Sequence, residues 1–183
     1  MQNYVRLDGE KCFLSPVRTD EEALQKYVKW MNDAEIAKWI SRNSSVLSFN
    51  DEKRWAEKER DNIMFNIILK GPNTLIGNCS IKTINRNNAE LGICIGEPTG
   101  RNKGVGTEVI KMLIKFCFEE IGFHRVCLKL NAENIRAHKC YKNAGMHDCG
   151  VAHDFYYCDG HYVDCISMEI LEQEYFAKEV YKS

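Results

Sequence analysis

Apolar residues recur along the chain with two periods. In TDEEALQKYVKWM, Leu24, Tyr27, Val28 and Met31 repeat at helical spacing, and Thr19 with Glu22 reads as a capping box at the start. DAEIAKWI predicts a second, short helix, and NDEKRWAEKERD a third that is more polar and more exposed. KCFLSPV, ahead of them, reads as a first strand. IMFNIIL and LIGNCSIKTI read as strands joined by the turn KGPNT, and NRNN turns the chain into AELGICIG, another strand. In VIKMLIKFCFEEIGF the apolar residues spread around most of the helix. Glu108, Lys111, Lys115 and Glu119 are left as a narrow polar stripe, the pattern of a core helix. The strand RVCLKL follows, then the helix NIRAHKCYKNAG with Asn134 as N-cap and Gly145 as stop. Two final strands turn at Asp159 and Gly160.

That order predicts a mixed sheet with helices on its faces, an α+β or mixed α/β fold. No repeat, low-complexity segment or linker interrupts it, so residues 1–183 read as a single domain. Composition adds exclusions. Twenty-five Lys and Arg against 26 Asp and Glu give a formal charge of -1, without the basic excess of a nucleic-acid binder. No apolar run approaches the ~18 residues of a membrane span. MQNYVRLDGEKCFL lacks the apolar core of a signal peptide, so a cytoplasmic chain is expected. Nine cysteines without a C-x-x-C pair read as reduced thiols, and the five histidines show no ligand spacing, so no metal is expected.

GRNKGVGTE, between a strand and a long helix, is the stretch that carries chemistry. Its register fits neither a P-loop nor a dinucleotide fingerprint. Consecutive backbone N–H groups at a helix start still make an anion cradle, helped by the helix dipole and by Arg101 and Lys103. The alternative is a tight strand-to-helix turn with solvated cations. In ELGICIG, Leu91, Ile93 and Ile95 share one face, while Gly92, Cys94 and Gly96 leave the other nearly bare. A bare face admits a ligand, or else reflects a bulge or close helix packing. Ala137, Cys140, Tyr141 and Ala144 share a helix face, so Tyr141 is a core ring or a phenol aimed into a cleft. For an isolated tyrosine, the core reading is the commoner.

Together, RNKGVG at 101–106 and NIRAHKCYKNAGM at 134–146 resemble the Q/R-x-x-G-x-G/A and N-x-x-A-x-x-x-Y-x-x-x-G-F signatures of the GNAT superfamily of acyl-CoA-dependent N-acyltransferases. The element order agrees over roughly residues 5–170. LSPVRTDEEALQKYVKWMNDAEI looks like the start of the branch holding ribosomal-protein and spermidine N-acetyltransferases. Met146 departs from the usual phenylalanine, which affects packing more than chemistry.

The resemblance implies a central mixed, mostly antiparallel sheet of about seven strands flanked by helices. It implies acetyl-CoA as co-substrate. The pyrophosphate would lie on the loop Arg101, Asn102, Lys103, Gly104, Val105, Gly106 and Thr107. The pantetheine arm would lie along Ile93, Cys94 and Ile95, with Asn134 and Ala137 on the other wall. Tyr141 becomes the general acid that protonates the leaving thiolate. Glu90 is the candidate base, its alternative being a surface carboxylate. Asp33, Glu35, Asp51 and Glu52, with Trp30, Trp39 and the DFYY stretch around Tyr156, form the candidate acceptor wall.

The acceptor class stays open among a polyamine, a protein N-terminus, an amino sugar and an aminoglycoside, and a homodimer is open too. The competing functional reading is a non-catalytic acyl-CoA-binding module that signals or scaffolds.

Overall fold

The computed structural model describes residues 3–40, 46–57 and 62–180. Eight strands are hydrogen-bonded in the order β1-β2-β3-β4-β5-β6-β8-β7. They are β1 Leu7–Asp8, β2 Cys12–Pro16, β3 Asn62–Leu69, β4 Thr74–Asn85, β5 Asn88–Ile95, β6 Arg125–Asn131, β7 His147–Cys158 and β8 His161–Leu171. The helices are α1 Glu21–Met31, α2 Ala34–Ala37, α3 Phe49–Glu57, α4 Val105–Lys115, α5 Ile135–Asn143 and α6 Glu172–Val180. The mixed sheet flanked by helices follows the expectation, with β1 as an eighth strand where about seven were expected. The two-residue β1 forms only through its antiparallel pairing with Leu14 and Phe13. The end of the third helix pattern, residues 58–61, lies outside the described residues.

The chain forms two compact units. Unit 1 holds Met1–Ser80 and Ile93–Gly106. Its core gathers Phe13, Leu24, Tyr27, Trp30, Ile68, Leu75 and Cys94. Two of the helical residues in that set, Tyr27 and Trp30, are among the largest fully buried side chains. Unit 2 holds Ile81–Gly92 and Thr107–Ser183. There β5 and β6 pair in parallel, while β8 lies antiparallel to both β6 and β7. Val126, Leu128 and Leu130 alternate on the buried face of β6, with Met168 and Ile170 of β8 directly opposite two of them. Past Lys115 the helix continues as a π-helical segment, Phe116–Ile121, ended by Gly122 at φ 80°.

The helix starts differ from expectation. The N-cap of α1 is Asp20, whose carboxylate accepts from Ala23 N at 3.3 Å, rather than Thr19. The reciprocal box lies instead before α3. Ser48 N donates to Asp51 at 2.8 Å and Asp51 N donates to Ser48 Oγ at 3.2 Å. Asp20 is drawn into its place by Arg18, which is buried and donates to both Asp20 oxygens at 2.7 Å and to Glu22 at 2.9 Å.

Arg18 holds the Asp20 carboxyl below the usual carboxylate range, against a smaller opposing effect of burial. A carboxyl more acidic in the folded than in the unfolded chain adds stability that is complete above the ordinary range. That stability drains away as pH falls through the folded value. Asp20→Asn keeps a cap but loses the charge. Denaturant titration is expected to show the variant less stable by about 1–2 kcal/mol near neutral pH. The gap should close only as pH falls below the ordinary carboxylate range and through the lowered folded value, where both proteins carry a neutral side chain. A gap independent of pH would assign the loss to capping alone.

Candidate active site

In unit 1 the glycine loop is built by two side chains from outside it or at its edge. Arg101, expected as a mobile cation, donates from Nε to Ile95 O at 3.1 Å and from Nη2 to Gly96 O at 2.7 Å. It staples the end of β5 to the loop. Lys11, in the turn before β2, reaches the loop instead and donates from Nζ to Lys103 O at 3.0 Å. The backbone turns through positive φ at Asn102, 59°, and at Gly104, 77°. Alternating turns of this kind direct successive N–H groups into one concavity. A Cβ at Gly104 would come within 2.7 Å of Lys11 Nζ. Helix α4 starts at the next residue. The first-turn N–H groups of Val105, Gly106 and Thr107 have no acceptor within the helix. The loop therefore combines a helix N-terminus, a glycine that keeps side-chain bulk away, and the cations Lys11 and Lys103.

The bare face of β5 has a packing cause. A Cβ on Gly96 would lie 2.2 Å from the Trp30 ring. Trp30 is 1% exposed and donates from Nε1 to Glu97 at 3.1 Å. The indole fills the space that Gly96 leaves. This corrects the reading of Trp30 as acceptor-wall aromatic, since a ring enclosed in the core has no face to offer an amine. Cys94 is buried in the same cluster, while Ile93 and Ile95 are half-buried. Burial pushes the Cys94 thiol up to about 11, with Arg101 acting against that shift and Glu52 adding to it. Both charges thus act near the end of the strand. Glu52 is 5% exposed although it sits on the most polar of the first three helices. Glu35 is exposed and paired to Lys38 at 2.8 Å, and the Lys38 ammonium stands 5.1 Å from the Trp39 ring.

In unit 2, Asn134 caps α5 by accepting from Ala137 N at 3.1 Å, so both residues are engaged at the helix start. Tyr141 lies on α5 and is 9% exposed. Thr107, in the first turn of α4, donates to Cys140 O at 3.4 Å and so ties that turn to the residue before Tyr141. Glu90 is half-buried and stands 3.7 Å from Lys129 Nζ. It is the last β5 residue in register with β6: pairs run from Asn88 and Arg125 to Glu90 and Cys127. β8 pairs with β6 along its whole length, from Arg125 to Asn131. Tyr156 is half-buried, with its hydroxyl 3.4 Å from Cys165 Sγ. Lys11 was not legible in the sequence: it meets Lys103 across 92 residues of chain.

Residues 11–147 match the acetyltransferase (GNAT) domain family. The chain belongs to the GNAT acetyltransferase family. It is therefore an N-acetyltransferase whose acetyl donor is acetyl-CoA. Among curated proteins it is 29% identical over 143 residues to an N-acetyltransferase 9-like protein of Caenorhabditis briggsae, covering 71% of each chain. It is 25% identical over 150 residues to the uncharacterized N-acetyltransferase p20 of Bacillus licheniformis, covering 80% of this chain and 81% of the relative. The fold superposes on spermidine N-acetyltransferase from Vibrio cholerae in complex with CoA and spermine, with TM-score 0.81, 21% identity and 92% and 99% coverage. A GNAT-family acetyltransferase from Bacillus anthracis gives TM-score 0.78, with 22% identity and 91% and 98% coverage. Among the described residues no group of His, Cys, Asp and Glu is arranged to hold a metal ion, and no helix is long and apolar enough to cross a membrane.

Proposed function

We propose that the protein acetylates a primary amine by direct attack within a ternary complex, and that residues 1–183 serve as one catalytic domain. The observation that carries this is the loop at 101–107, where Gly104, Lys11, Lys103 and the start of α4 together suit a pyrophosphate. When bound, acetyl-CoA supplies an activated thioester. The chain's residues do the rest. The N–H groups of Lys103 to Thr107 bind phosphate, and Ile93, Cys94 and Ile95 pair with the cofactor's amides. N–H groups of that strand donate to the thioester oxygen as charge builds there.

An alkyl ammonium has an ordinary pKa of ~10 and must lose a proton to attack. Glu90 takes that proton, directly or through water. The C–N bond forms, the C–S bond breaks, and Tyr141 gives its proton to the departing sulfur. Tyr141 touches the reacting atoms and is the catalytic acid in this reading. Trp39 in unit 1 and Tyr156 in unit 2, each half-buried, offer aromatic surface that suits a cation, and the Vibrio cholerae neighbour holds such a cation, spermine. Nine free cysteines suit a reducing cytoplasm.

The test is a panel of polyamines, amino sugars, aminoglycosides and peptides with free N-termini, read by CoA release and by intact product mass. The expected result is CoA release matched one to one by an acetylated amine. Tight acetyl-CoA binding with no acetylated product from any class would favour the non-catalytic acyl-CoA-binding module instead.

A further inference from the structure

Glu97 stands at the joint between β5 and the glycine loop. Its backbone N donates to Ile76 O at 3.0 Å, and its O accepts from Gly100 N at 3.1 Å to open a 3₁₀ turn over Pro98–Gly100. The side chain makes no cap bond to that turn. Arg101, four residues on, is the obvious cation for this carboxylate, but its guanidinium is spent on Ile95 O and Gly96 O. Among the described residues, the side-chain partner of Glu97 is the Trp30 indole, whose Nε1 donates at 3.1 Å. That indole is fixed. It is 1% exposed, fills the space beside Gly96 and lies 5.9 Å from the Tyr27 ring. A half-buried carboxylate thus sits beside a loop that gathers Arg101, Lys103 and Lys11, yet it is held by a neutral N–H from the core.

We infer that Trp30 is a positioning residue that acts through Glu97: its indole N–H holds the carboxylate toward α1 and so keeps that negative charge off the phosphate-binding loop. A released carboxylate would do harm in two ways. It competes for Arg101, whose two bonds staple the strand to the loop. It also repels a multiply charged anion bound a few residues on. The simpler account is that the bond serves the indole, since a buried Trp N–H normally finds an acceptor. A backbone carbonyl or an amide would meet that need without setting a carboxylate beside an anion site. This inference rests on the phosphate-loop reading of the preceding subsection.

A double-variant cycle separates the two accounts. Trp30→Phe keeps a ring beside Gly96 and removes the donor. Calorimetry would measure acetyl-CoA binding at low and at raised salt. Trp30→Phe is expected to weaken it by roughly fivefold at low salt, the size of one exposed charge repulsion, and by less in added salt, which screens that repulsion. Adding Glu97→Gln removes the released charge and should bring affinity back to within about twofold of the parent. Glu97→Gln alone keeps an amide oxygen for the indole and leaves no charge to restrain, so it should bind at least as tightly as the parent. Glu97→Asp leaves Trp30 untouched, shortens the carboxylate out of the indole's reach and should show the same salt-sensitive loss. A Trp30→Phe loss that persists in the double variant belongs to packing and overturns the inference. Parent-like affinity in folded Trp30→Phe or in Glu97→Asp overturns it as well. If the parent itself binds no acetyl-CoA, the phosphate-loop reading and this inference fall together, whereas an unrescued loss sinks this inference alone.

Discussion

Tyr141→Phe is expected to lower the single-turnover rate of acetyl transfer by about 10²–10⁴, the usual worth of a positioned general acid. The ring is 9% exposed and sits on α5 beside the chain's Ala144, also buried, so removing one oxygen leaves the packing intact. Stability and acetyl-CoA affinity should change little. The thiolate of CoA resembles that of cysteine, whose ordinary pKa is about 8.5, so it leaves poorly without a proton at neutral pH. A donor with a less basic thiol needs that proton less and should recover part of the loss. Single turnover matters because slow CoA release would hide a chemical defect in kcat. A rate within about twofold of the parent, far short of that loss, would return Tyr141 to the role of a core ring, as its burial alone allows.

What the sequence revealed of this fold is what short-range chemistry determines. Asn134 caps α5 because an amide oxygen meets an N–H three residues on, and the Asp159-Gly160 turn forms because both residues adopt positive φ. The loop at 101–107 was legible for the same reason, since its glycines, cations and following helix are contiguous. Choices between near-equivalent local partners were harder. Thr19 and Asp20 both cap helices well, and the buried Arg18 decided for Asp20. Helix α6 was missed because much of its definition is tertiary. Tyr175 stacks 5.3 Å from Phe118 and donates to Glu119 at 2.6 Å. The bare face of β5 was visible, but its cause was not, because Trp30 comes from α1, sixty-odd residues earlier. Lys11 carried no pattern at all. A lysine in a turn is ordinary until the fold gives it a loop carbonyl.

Gly104→Asp is expected to weaken acetyl-CoA binding by about a hundredfold or more, roughly the loss of two charge-assisted contacts. Three effects act together. The backbone at φ 77° disfavours any Cβ, though aspartate tolerates this region better than most residues. The Cβ would sit 2.7 Å from Lys11 Nζ and displace it. The carboxylate would then capture Lys11 or Lys103 and place a negative charge where phosphate binds. Its effect on folding runs the other way. An anion ahead of α4 favours the helix dipole by about 0.3–1 kcal/mol, which offsets the backbone strain, so the variant should remain folded. Gly104→Ala separates the causes, because it carries strain and displacement without charge. It is expected to lose about tenfold, less than the aspartate variant by the electrostatic share. Salt supplies the second check. Added salt should weaken the parent's affinity, since partly exposed cations meet a multiply charged ligand, and should weaken Gly104→Asp less, because its cations are already paired. If calorimetry gives folded Gly104→Asp the parent's affinity at low salt, the loop is a tight turn with solvated cations, and the phosphates bind elsewhere on the chain.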